Sequence, residues 1–202
     1  VVEVGVTVAT VVSLGLAPVL LTVWEARVQR PSAKRILVLL GALLGLVLVS
    51  LSAHAGLTGP RPAVGISAAV LSGTAYAIAT QVGRPLTAST PPLILTTMAT
   101  ASGAVLLSVL AAFGGGPYLP NNLPAALLIG YLAIFTMALA YALFYAGLRT
   151  TTGSAAVIAT LLEPVTAGVV AWLLLAERIG LVGIVGMALI LAAVAGLGER
   201  VE

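Results

Sequence analysis

The chain has 202 residues, of which 60% are hydrophobic and 7% charged, with a net charge of +3. An ordinary soluble domain is about 25% charged, so this composition excludes a water-soluble globule and places the chain in a membrane. Cysteine and aspartate are both absent, which removes disulfides, thiolate nucleophiles, cysteine metal sites and the aspartate-based metal and phosphoryl-transfer motifs.

The opening residues, VVEVGVTVAT, are already hydrophobic, without a basic region or a small-residue cleavage site. The chain is therefore expected to start in or beside a span, as a piece of a longer protein, rather than with a signal peptide. A first span is predicted over 4–24, with Thr7, Thr10 and Ser13 at i+3 spacing on one face and Pro18 as a kink. A second, over 36–55, carries Gly41 and Gly45 as a GxxxG packing face, and ends at His54, read as structural. A third, over 63–83, places Ser72, Tyr76 and Thr80 at i+4 spacing with Gln81 beside them. The fourth, over 92–112, carries no marked face. The fifth, over 125–147, has Tyr141 and Tyr145 at i+4, the latter near the interfacial belt.

The sixth span, over 154–176, opens a question with LLEPVTAGVVAWLLLAER: a carboxylate, Glu163, stands directly before a helix-breaker, Pro164. A charge at the bilayer centre costs about 2.5–3.5 kcal/mol on insertion scales, so Glu163 is expected to face the bundle or a cavity. Pro164 has no N–H for the carbonyl of Thr160, four residues back, and freed backbone at that depth is tolerated where it lines a cavity. Thr160, Glu163 and Pro164 are thus read as a polar break in a transport path. The blander alternative is a Glu that locks the bundle by a hydrogen bond. The seventh span, over 180–197, has a small-residue face at Ala192 and Gly196. The second and seventh spans, otherwise almost wholly apolar, are read as scaffold or as the face of a homodimer. None of these runs alternates with period two, so the class is all-α with seven transmembrane helices and not a membrane barrel.

Arg27, Arg30, Lys34, Arg35, Arg84, Arg149 and Arg200 fall on one side and only Arg61 and Arg178 on the other. By the positive-inside rule the loop 25–35 and the C-terminus are cytoplasmic. The basic residues set topology and form no nucleic-acid surface. The first two spans also match the last two, Pro18 aligning with Pro164 and Gly41 with Gly186, yet the charge count orients the two pairs oppositely. Inverted repeats are a mark of secondary transporters. Residues 1–56 are read as the last two helices of a first five-helix repeat, truncated, and 57–202 as a complete second repeat.

The stretch EPVTAGVVAWLLLAERIGLVGIVGMALILAAV, with its Pro, its Ala176-Glu177-Arg178 turn and a last helix opened at Gly186, resembles the EamA-type drug/metabolite transporter family. YLAIFTMALAYALFYAGLRT is similar to the third helix of that family's second repeat. The first copy departs from the pattern at its turn, which reads VWEARVQRPSAKR. The resemblance implies alternating-access transport, often export, of small metabolites such as amino acids or amines, in a plasma or inner membrane. It also implies ten helices, of which the chain supplies the last seven.

The expected substrate cavity is lined by Glu163, Thr160, Tyr76, Ser72, Tyr141, Ser13 and Thr10, flexing at Pro18 and Pro164. Proton coupling through Glu163 is a further expectation. No cofactor and no metal are expected, and the partners are the bilayer and a small metabolite. A retinal protein is excluded, since LVGIVGMALILAAVAGLG has no lysine for a Schiff base. No charge ring or carbonyl filter suggests a channel. With one His, no Asp, no Cys and no GxSxG, an enzyme lacks its usual constellation. The remaining alternative is a non-transporting assembly subunit or inactive transporter fragment.

Overall fold

A computed structural model describes residues 6–52, 61–114, 120, 122–175 and 179–198. His54, the turn at Ala176-Glu177-Arg178, Arg200 and the repeat boundary at 56/57 lie outside the described residues.

Regular structure among the described residues is all helical. In chain order it comprises α1 (Val6–Glu25), α2 (Ala33–Ser52), α3 (Pro62–Leu86), α4 (Pro92–Gly114) and α5 (Leu123–Tyr131). A π-helical segment, Leu132–Ala138, joins α5 to α6 (Leu139–Leu148), followed by α7 (Gly153–Thr160), α8 (Leu162–Leu175) and α9 (Leu181–Gly198). Six apolar stretches are long enough to cross a bilayer: 8–25, 33–52, 62–86, 92–113, 123–148 and 153–174. They agree with the first six predicted spans to within a few residues. The seventh, α9, has 18 residues and a length of about 27 Å, just under a hydrocarbon core of about 30 Å. The chain is an all-α, multi-pass membrane protein.

Local chemistry explains most helix starts. The N–H of Arg35 donates to Ser32 Oγ at 3.3 Å before α2, and that of Ala125 donates to Asn122 Oδ1 at 2.9 Å before α5. Thr152 caps α7 in the same way, accepting from the Ala155 N–H. Pro62 and Pro92 occupy the first positions of α3 and α4, where the missing N–H costs nothing.

The helices fall into two units, described separately: residues 1–81 with 152–202, and residues 82–151. In the first, the core gathers Ala42 and Leu46 of α2, Ile158 of α7, Leu161, Val165 of α8 and Ile190 of α9. Its most extensive packing is α2 on α9, and glycine makes it close. A Cβ added at Gly45 would lie 2.6 Å from the Gly186 carbonyl oxygen and 2.8 Å from Ile190 Cγ1. One added at Gly186 would lie 2.8 Å from the Gly45 carbonyl oxygen and 2.8 Å from Val49 N. The pattern is reciprocal: Gly45 meets Gly186 and the residue four beyond it, and Gly186 meets Gly45 and the residue four beyond it. Gly196 against Val38 and Gly183 against Ser52 run in opposite order along the two helices, so the pair is antiparallel.

These contacts refine the expected small-residue faces. Gly41 faces open space and Ala192 is exposed. The contact belongs instead to Gly45 on α2 and to Gly183, Gly186 and Ala193 on α9. Of the expected glycines, Gly45 and Gly196 are engaged within the chain, as a scaffold requires, and Gly41 is not.

In the second unit α4 packs on α6. Tyr145 is buried against Gly83, whose Cβ would sit 3.0 Å from the tyrosine ring. The absent side chain at Gly83 opens a slot that the ring fills. At one end, Arg149 Nε donates to the Thr87 carbonyl at 3.0 Å and its Nη2 to the Thr90 carbonyl at 3.1 Å. Arg84 Nε donates to the Thr151 carbonyl at 3.1 Å. The two arginines thus tie each other's loops. Arg149→Gln is expected to cost about 1 kcal/mol, since the bonds are partly exposed and screened. Arg149→Lys should recover only part of it, because an ammonium lacks the planar fork. Thermal unfolding of the purified variants in detergent measures both.

Candidate functional site

The sixth span is not one helix. α7 ends at Thr160, Leu161 turns with ψ −4°, and its N–H donates to the Ile158 carbonyl at 3.1 Å in a tightened i→i+3 turn. α8 begins at Leu162, with Glu163 in its first turn. That answers why Glu163 and Pro164 stand side by side. The start of a helix is where proline is tolerated and where a carboxylate complements the helix dipole. Both residues read as a breach of an apolar helix and also as the opening turn of a new one. Leu161 itself is fully buried, anchoring the break in the core.

The seven expected cavity residues occupy different environments. The Glu163 side chain is exposed rather than enclosed by its own unit. Thr160 is half-buried and its hydroxyl donates to the Val157 carbonyl at 2.8 Å, within its own helix. Thr10 and Ser13 are half-buried on α1, and the Ser13 hydroxyl donates to the Thr10 carbonyl at 3.4 Å. The side chain of Thr7, on the same stripe, lies outside the described residues. On α3, Ser72 is exposed and Tyr76 half-buried. Tyr141 lies in the second unit, its ring 6.4 Å from that of Tyr145 and 6.5 Å from that of Phe144.

Two close approaches link the helices that carry these residues. α1 packs on α7. α3 meets α1 at Gly73, where a Cβ would lie 2.7 Å from the Ser13 carbonyl oxygen. The inward stripe of α3 is small: Gly65, Ala69, Gly73 and Ala77 are buried, and Thr80 completes it. The spacing Ser72, Tyr76, Thr80 therefore straddles the packed face, since only Thr80 of the three is buried. Thr80 Oγ1 and Gln81 Oε1 are buried without a hydrogen bond.

Pro18 also behaves differently from Pro164. α1 runs unbroken from Val6 to Glu25 with Pro18 inside it. The hydroxyl of Thr22 donates to the Pro18 carbonyl at 2.7 Å.

One long-range contact escapes the sequence reading altogether. Glu25, at the C-terminal end of α1, accepts the backbone N–H of Ser154 on Oε1 at 3.0 Å, and its Oε2 accepts the Ser154 hydroxyl. In the sequence it stands at the edge of a basic loop and looks like an ordinary solvated charge.

A model of the EamA-like transporter family matches residues 63–198, two thirds of the chain. No curated protein and no solved structure matches it. The chain belongs to the EamA-like transporter family.

Proposed function

We propose that this family member is a secondary carrier that exports small metabolites, such as amino acids or amines, across a plasma or inner membrane by alternating access. Residues 1–56 supply the last two helices of one repeat and 57–202 the five spans of an inverted second repeat. The match of residues 63–198 to a transporter family carries the reading. Antiparallel packing of α2 on α9 is the orientation that two inverted repeats would require of their last helices. Inverted repeats place their site at the repeat interface near the midplane.

In this reading the loop 25–35 and the C-terminus are cytoplasmic, which the basic residues support. Glu163, Thr160, Ser13, Thr10, Ser72 and Tyr76 of the first unit line the path, and the break at Leu161 is the flexing point. The reading requires no homodimer, cofactor or metal.

The test is a cargo screen. Cells expressing the chain, and cells with an empty vector, are preloaded with a panel of labelled amino acids and amines, and efflux is followed. Faster efflux of at least one compound is expected. If no compound moves in either direction, while the protein is present in the membrane, the reading as an assembly subunit or an inactive transporter fragment takes its place.

A further inference from the structure

We propose that Glu25 is a releasable latch that closes one end of the first unit, between α1 and α7. The inference rests on the carrier reading, since a carrier needs an end that opens.

The position of Glu25 is unfavourable in its own helix. A carboxylate at a C-terminus faces the negative end of the helix dipole. It is favourable at the start of α7, where backbone N–H groups lack partners within the helix. There Glu25 receives both the N–H and the hydroxyl of Ser154, a residue 129 positions away. Thr152 uses its own hydroxyl on the Ala155 N–H, so the two caps divide the free donors between them. Ser154 is buried and Glu25 half-buried.

Gly153 is where three helices meet. A Cβ there would lie 3.5 Å from Glu25 Oε1, 3.5 Å from Leu21 Cδ2 and 3.5 Å from Thr80 Cγ2. The closed end thus joins α1, α3 and α7, and α1 and α7 belong to different proposed repeats.

The closed arrangement also holds an opposing cost. Thr80 is almost fully buried, and its hydroxyl and the side-chain amide oxygen Oε1 of Gln81 lack hydrogen bonds. Water admitted at this end would satisfy both. Leaving such groups unpaired is expensive, whereas a bond to a charged acceptor is strong. Closure is therefore a balance of two charge-assisted bonds against two orphaned polar atoms. A contact that must open and close needs its two states near in energy.

The absence of native cysteine makes the test clean. Gly153→Cys places a thiol at the closed junction, at ordinary contact distance from its neighbours, and Ala193→Cys places one in the α2–α9 contact. Alkylation of each by N-ethylmaleimide is timed in membranes. In the Gly153→Cys chain, Glu25→Ala should raise the rate about tenfold or more. Ser154→Ala, which removes one bond of the two, should raise it less. The Ala193→Cys rate should stay unchanged in both backgrounds. A Gly153→Cys rate that stays within about twofold when Glu25 is removed overturns the latch. So does a rise at both cysteines, which would make Glu25 a support of the whole fold. Alkylation is read without cargo, so a failed latch leaves the efflux screen standing, and a failed screen leaves these rates to be judged on their own.

Discussion

Gly45→Ala is expected to lower the stability of the purified protein by about 1–3 kcal/mol, toward the upper end of the range for overpacked cores. The added methyl would lie 2.6 Å from a backbone carbonyl oxygen of Gly186, and a helix backbone cannot rotate away as a side chain can. The two helices would have to separate along their most extensive contact. Gly186→Ala should cost a similar amount, because its methyl meets Gly45 O and Val49 N, both backbone atoms. Gly41→Ala is the internal control. It lies one turn from Gly45 on the same helix, has nothing within 4 Å, and should be neutral or stabilising by up to about 1 kcal/mol through helix propensity. Thermal unfolding in a mild detergent would read a fall of roughly 5–10 °C for the first two variants and none for the third. Equal effects at Gly41 and Gly45 would contradict the packing described for α2 and α9.

The second large effect is expected on transport. Once a cargo is found, Glu163→Gln should reduce its flux about tenfold or more, as expected for an ionisable group on a membrane transport path. Pro164→Ala probes the break in the complementary direction. It returns an N–H that can reach the Thr160 carbonyl and let α7 and α8 join. The expected outcome is a protein at least as stable as the parent but slower in transport. Such a split, stability kept while flux falls, distinguishes a working break from a structural one. If flux survives both substitutions and shows no dependence on pH, neither proton coupling nor a path through this turn can stand.

The spans were legible because hydropathy and length suffice for a bilayer: six predicted segments match their helices closely. The inner faces were less legible, for a reason specific to membranes. Lipid tails are as apolar as a protein core, so burial is not marked by hydrophobicity, and close packing is carried by small residues. On α3 the serine and tyrosine drew attention, while Gly73 and Ala77 face inward. On α2 the GxxxG motif was visible, yet only the approach of α9 shows that Gly45 is used and Gly41 is not. Glu25 was missed because its partner is far along the chain, and no local pattern announces a contact of that kind. The Glu163-Pro164 pair stands out in the sequence, whereas its local cause, a new helix start, lies in the backbone.

The π-helical segment at Leu132–Ala138 has a consequence of its own. A π turn takes in one residue more than an α turn, and one residue corresponds to about 100° around a helix. Residues before and after it in the fifth span therefore do not share the phase that their sequence spacing suggests. A face counted from α5 by threes and fours loses step before it reaches Tyr141 and Tyr145. Those tyrosines point where one additional residue turns them, so the angular aim of the aromatic cluster is set by chain length within the span as much as by the identity of its side chains.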